Sequence, residues 1–126
     1  MHRSRLAGVI IDCETGDLDA AVDFWAKALG APPAAAANIE ESPYVELRMP
    51  KDENYVEVQA VDHPSRVHID IESDDIEAEV KRLEALGAKR VADIKRWCVL
   101  EAPTGQRFCI VPVVSSDFES KANKWE

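Results

Sequence analysis

Between Val67 and Glu72 apolar and polar residues alternate, with Val67, Ile69 and Ile71 on one side of an extended strand and His68, Asp70 and Glu72 on the other. Val9 to Glu14 repeats the pattern: Val9, Ile11 and Cys13 alternate with Ile10, Asp12 and Glu14. Behind each strand the period changes. Leu18, Ala21, Val22, Trp25 and Leu29 fall on one helical stripe, and Ile76, Val80 and Leu83 on a second. Asp74 with Glu77 three residues later reads as a capping box. Gly30 and Gly87 stand where a helix end favours positive φ. Both helices are therefore expected to pack on the apolar side of the strands, leaving the polar side to face elsewhere.

Shorter strand candidates follow each helix. The first set is a weak one in AANIEE, then PYVELRM and NYVEVQAV around a PKDEN turn; the second is KRVADIK, WCVLEA and RFCIVPV, with APTGQ as the last turn. The order strand, helix, three strands thus occurs twice. A direct repeat supports this reading: at an offset of 58 positions VIIDCETGDLDAAV lies over VHIDIESDDIEAEV, matching Asp12 to Asp70, Glu14 to Glu72 and Asp17 to Asp75. With one residue of slippage, ALGA at 28–31 answers ALGA at 85–88. DHPS at 62–65 links the copies. The polar tail SSDFESKANKWE is expected to fray unless Phe118 and Trp125 dock.

Composition narrows the setting. With 126 residues, 46% hydrophobic and 31% charged, the chain has material for one globular domain with its own core. No apolar run reaches the roughly 18 residues of a membrane span, and MHRSRLAG lacks the apolar stretch of a signal peptide. A cytoplasmic location is expected, with no membrane partner. Three cysteines, Cys13, Cys98 and Cys109, form no C-x-x-C pair and read as reduced thiols. A formal charge of -9 argues against nucleic acid, whose phosphates need clustered Lys and Arg.

The doubled unit, DLDAAVDFWAKALG, RVHIDIESDDIEAEVKRLEALGA and the closing APTGQRFCIVPV together resemble the vicinal oxygen chelate superfamily, and its glyoxalase-like branch most. The resemblance spans about Leu6 to Val113. It implies an α+β fold: one domain over residues 1–126, made of two tandem βαβββ modules (6–61 and 66–113) that form a curled mixed sheet with helices on its outer face, plus the tail 114–126. It also implies a homodimer and a small-molecule ligand or substrate, and leaves the reaction open, because glyoxalases, dioxygenases, epimerases and metal-free bleomycin-sequestering proteins share this fold.

Relatives that bind a metal draw ligands from the first and last strands of each module. Carried over residue by residue, those positions are Ile10, Glu57, His68 and Cys109, so His68 and Glu57 are the metal candidates. Asp12, Asp70 or Cys109 is the available third group. Alternation gathers a polar inner face of Asp12, Glu14, Glu57, Gln59, His68, Asp70, Arg107 and Cys109, expected to bind the ligand. Three classes stay open: a small-molecule binder without the full ligand set and without a cofactor; a divalent-metal lyase, isomerase or dioxygenase using His68 and Glu57; and metal-free acid–base catalysis by His68 with Asp70 or Glu57.

Overall fold

The computed structural model describes residues 1–126, with eight strands and three helices in an α+β fold. The strands are β1 (His2–Glu14), β2 (Tyr44–Leu47), β3 (Tyr55–Val61), β4 (Arg66–Ser73), β5 (Lys89–Ile94), β6 (Trp97–Glu101), β7 (Arg107–Pro112) and β8 (Asn123–Trp125). The helices are α1 (Leu18–Leu29), α2 (Ile76–Ala85) and α3 (Phe118–Lys121). No helix is long and apolar enough to cross a membrane. Two compact units result. One is continuous, Gly8–Val67; the other joins Met1–Ala7 to His68–Glu126. β1 therefore contributes its first half to one unit and its second half to the other.

In the continuous unit β3 is central, parallel to β1 and antiparallel to β2. The stripe read from sequence buries Leu18 and Val22 of α1 against Val45, Leu47 and Val58, with Trp25 packed at the edge. Each fully buried Leu or Val of this kind contributes about 1.5–3 kcal/mol. Asp17 caps α1, its carboxylate accepting from the Ala20 amide at 3.0 Å, and Gly30 closes the helix in the left-handed region at φ 66°. AANIEE forms no strand. Asn38 instead accepts amide hydrogens from Glu41 and Ser42 in a turn, and only a lone bridge from Pro33 to Leu47 extends this edge.

The second unit orders its strands β4, β7, β6, β5, parallel at β4–β7 and antiparallel beyond. Val80 of α2 packs on Leu100, Ile110, Cys98 and Phe108, with Ile76 and Leu83 partly buried beside them. Its cap is one residue later than Asp74. Asp75 accepts from the Ala78 amide at 3.0 Å, the position the repeat pairs with Asp17, while Asp74 accepts from the Arg3 amide at 2.8 Å.

Burial along β4 departs from the expectation. Val67 and Ile69 are 59% and 42% exposed, whereas Asp70 is 6% and Glu72 0% exposed. Only Ile71, nearest the start of α2, joins the core on the apolar side. The tail is also ordered: Phe118 is buried, and β8 pairs antiparallel with β1, Trp125 opposite His2.

Candidate functional site

Parallel pairing of β4 with β7 places Asp70 opposite Cys109 and Ile71 opposite Ile110. Ile110 is fully buried in the core under α2 and fixes this stretch of backbone. The alternate side chains then share the other side. His68 and Asp70 stand two apart on β4, and Cys109 meets them from β7. One donor atom from each of the three lies within 4.8 Å of the others. His68 Nε2 is 3.6 Å from Asp70 Oδ1, with the side chains 15% and 9% exposed. That separation suits an ion pair and is longer than a hydrogen bond. Imidazole, carboxylate and thiol thus converge in a largely desolvated place.

The remaining candidates distribute differently. Glu57, half-buried on β3, stands opposite Ile10 of β1 and Glu46 of β2. Gln59 is opposite Asp12, which is buried with Arg66 Nε 3.9 Å from its Oδ2. Glu14 is exposed at the end of β1. These four belong to the continuous unit, and His68, Asp70, Arg107 and Cys109 to the other. Arg107 Nε donates to Glu101 Oε1 at 3.2 Å, so its guanidinium is engaged by the neighbouring strand. Register also refines the repeat: Cys109, opposite Asp70, corresponds to Gln59 opposite Asp12, and lies one pleat out of step with Glu57.

Two buried carboxylates carry structure that sequence reasoning passed over. Glu79 on α2 accepts from Arg82 Nε and Nη2, both at 2.9 Å, from Ser4 Oγ at 2.7 Å and from His2 Nε2 at 2.7 Å. An ionised carboxylate only accepts, so Nε2 of His2 carries the proton. Burial pushes the Glu79 carboxyl up, but the bonds from Arg82, His2 and Ser4 outweigh it and hold the group below the usual carboxylate range. Its sequence signal was its place: Glu79 is the i+3 position of the stripe through Ile76, Val80 and Leu83. Glu72, on the polar side of β4, accepts from the amides of Val114 and Ser115 at 2.8 and 3.0 Å and from Ser115 Oγ at 2.6 Å. A cavity of about 550 Å³ beside this tail is lined by His2, Arg3, Asp74, Ser115 and Phe118 among others, and none of the sequence candidates reaches it.

The profile of the glyoxalase-like domain matches residues 8–111, most of the chain. The chain belongs to the glyoxalase-like domain family. Solved structures agree in fold. A hypothetical protein from Bacillus halodurans superposes with a TM-score of 0.65 at 13% identity, over 90% of this chain and 96% of its own. Methylmalonyl-CoA epimerase from Streptomyces coelicolor, in complex with 2-nitronate-propionyl-CoA, gives 0.60 at 18% identity over 89% and 97%. The epimerase from Mycobacterium tuberculosis gives 0.63 at 16% identity over 87% and 88%. At these identities the likeness establishes the fold and not the reaction. No curated protein matches the sequence.

In this glyoxalase-like protein one of the superfamily's four metal positions carries an apolar side chain. Ile10, 4% exposed and apolar, offers no donor, and Cys109 pairs with Asp70 one pleat away from the counterpart of Glu57. A divalent ion needs about three or more protein donors to replace its waters.

Proposed function

We propose that this glyoxalase-like protein binds a small organic molecule against the side of β4 and β7 that carries His68. The observation behind this reading is the convergence of His68, Asp70 and Cys109, three reactive polar groups on one rigid strand pair, where packing alone would favour apolar residues. Methylmalonyl-CoA, bound in a neighbouring epimerase structure, and methylmalonate, which lacks the thioester, are the first probes. In both, two carbonyl-bearing groups flank one carbon whose proton an imidazole can address. Titrating each into metal-free protein in EDTA, with the His68 ring followed by NMR, should move that resonance saturably, and Asp70→Asn should weaken the response at least about tenfold. A His68 resonance unmoved by either probe, or an unaltered titration in Asp70→Asn, overturns the assignment. A homodimer belongs to this reading and is checked by light scattering against the 14.0 kDa chain.

The 3.6 Å approach of Asp70 to His68 favours one chemical elaboration. Neutral His68 takes a proton from the carbon beside an acyl group, and Asp70 steadies the imidazolium so formed. Solvent deuterium incorporation into methylmalonyl-CoA in the presence of EDTA, abolished in His68→Ala, is the expected outcome. Retention of exchange in that variant removes His68 from the chemistry.

A further inference from the structure

We infer that the cavity beside the tail is a second binding site, suited to a free α-amino acid with an apolar side chain. Its volume is about 550 Å³, within the roughly 300–1,000 Å³ of small-molecule sites. Every lining residue falls in the unit formed by Met1–Ala7 and His68–Glu126, and none is shared with the His68 face. Its walls are held in place by the backbone. The Arg3 amide donates to Asp74 Oδ1 at 2.8 Å, and the Arg3 carbonyl accepts from the Asp74 amide at 3.2 Å and from Ser73 Oγ at 3.0 Å. Glu72 fixes the tail side through the amides of Val114 and Ser115, and Phe118, 5% exposed, anchors it.

Polar groups left open around the cavity specify the ligand. His2 is 9% exposed, and its Nε2–H is committed to Glu79. Nδ1 makes no bond within the protein and is not sealed from solvent, so the ring offers an acceptor to the cavity it lines. In a ring nine-tenths buried, an open acceptor selects a ligand that brings a donor. Asp74 Oδ2 and the Glu119 carboxylate are also unbonded and line the same space, which suits the several donors of an ammonium group. The half-buried Arg3 guanidinium enters no ion pair, although Asp74 is joined to it through the backbone. Other charges nearby are engaged: Arg5 by Glu72 and Asp117, and Lys121 by Asp117. The guanidinium, with the unbonded Ser116 hydroxyl on the same cavity, suits a carboxylate. Val113, 39% exposed, offers apolar surface to a side chain. Specificity for a zwitterion follows from the mixture. A simple anion would meet two carboxylates, and a simple amine would meet Arg3.

The test is an NMR titration of the full chain with L-leucine and with L-phenylalanine. Of the three histidine ring signals, those of His63 and His68 are assigned by His63→Ala and His68→Ala, which leaves His2. At least one of the two amino acids should move the His2 signal saturably, with a midpoint below about 1 mM, and leave the His68 signal in place. The N-acetyl form of that amino acid, which lacks the ammonium, and its decarboxylated amine should each bind more than about tenfold more weakly. Arg3→Gln and Asp74→Asn should each weaken the amino acid at least about tenfold. Asparagine still accepts from the Arg3 amide, so the wall is kept. A His2 signal unmoved by both amino acids, equal binding of the acetylated or decarboxylated form, or unchanged affinity in both variants overturns the inference. Movement of His68 in place of His2 puts the ligand on the β4–β7 face and overturns it as well. The acyl-probe reading stands or falls separately, since it is followed at His68 with other compounds.

Discussion

Glu79 shows how one buried charge is made tolerable. Its two oxygens take four hydrogen bonds from His2, Ser4 and Arg82, and Arg82 in turn lies 3.8 Å over the ring of Trp125, whose Nε1 donates to Ser4 Oγ at 2.8 Å. Removing the charge leaves those donors facing an amide, so Glu79→Gln should cost about 3 kcal/mol in urea unfolding near neutral pH. The sign of the pH effect follows from the lowered folded pKa. Stabilisation by this group is complete above the ordinary carboxylate value and is lost as pH falls through the folded value. The melting temperature of the wild type should therefore drop more steeply than that of Glu79→Gln on acidification below about pH 4. Equal slopes would mean the carboxylate titrates alike in both states. Of the candidate site, sequence alternation placed His68, Asp70 and Cys109 on a common face. What it could not supply was the register of β7 against β4, which depends on pairing between distant segments and decides that Cys109 faces Asp70.

Elements were legible where local periodicity governs them. The stripes of α1 and α2, the αL closure at Gly30 and the strands around PKDEN and APTGQ all stand as read, because each is fixed by side chains within a few residues. Three features were not. AANIEE lacks alternation and follows a Pro- and Ala-rich run, so a turn at Asn38 prevails. Asp74 and Asp75 are both competent caps, and the choice falls to the Arg3 amide, which claims Asp74. The buried side of β4 near Glu72 is set by the tail, more than forty positions on, whose backbone amides require an acceptor. The pairing of β1 with β3 offers a test at this scale. Gly8 stands opposite Tyr55, and a Cβ there would overlap the ring. Gly8→Ala should destabilise by about 1–3 kcal/mol by overpacking, and the penalty should shrink in a Tyr55→Ser background. An undiminished penalty would show that the two positions are uncoupled.

At the level of the molecule the chain is woven: Met1–Ala7 joins His68–Glu126 in one unit, and the intervening Gly8–Val67 makes the other. The two ends of the polypeptide lie side by side, since His2 pairs with Trp125 and Ser4 with Asn123. A permutant that joins Glu126 to Met1 through a short Gly-Ser linker and opens the chain within Asp62–Ser65 should keep native amide dispersion, with stability within about 1–2 kcal/mol of the parent. Deleting 123–126 should cost about 2–3 kcal/mol, by removing the indole from Arg82 and Ser4. A permutant that fails to fold would show that ribbon pairing at the ends tolerates no covalent closure. The same ribbon sets a timetable for synthesis. At roughly 5–20 residues per second, the opening segment leaves the ribosome on the order of ten seconds before its closing partner exists. Residues 8–67 can condense in that interval, but His2 and Ser4 must wait, solvated, first for Glu79 of α2 and then for the indole of Trp125.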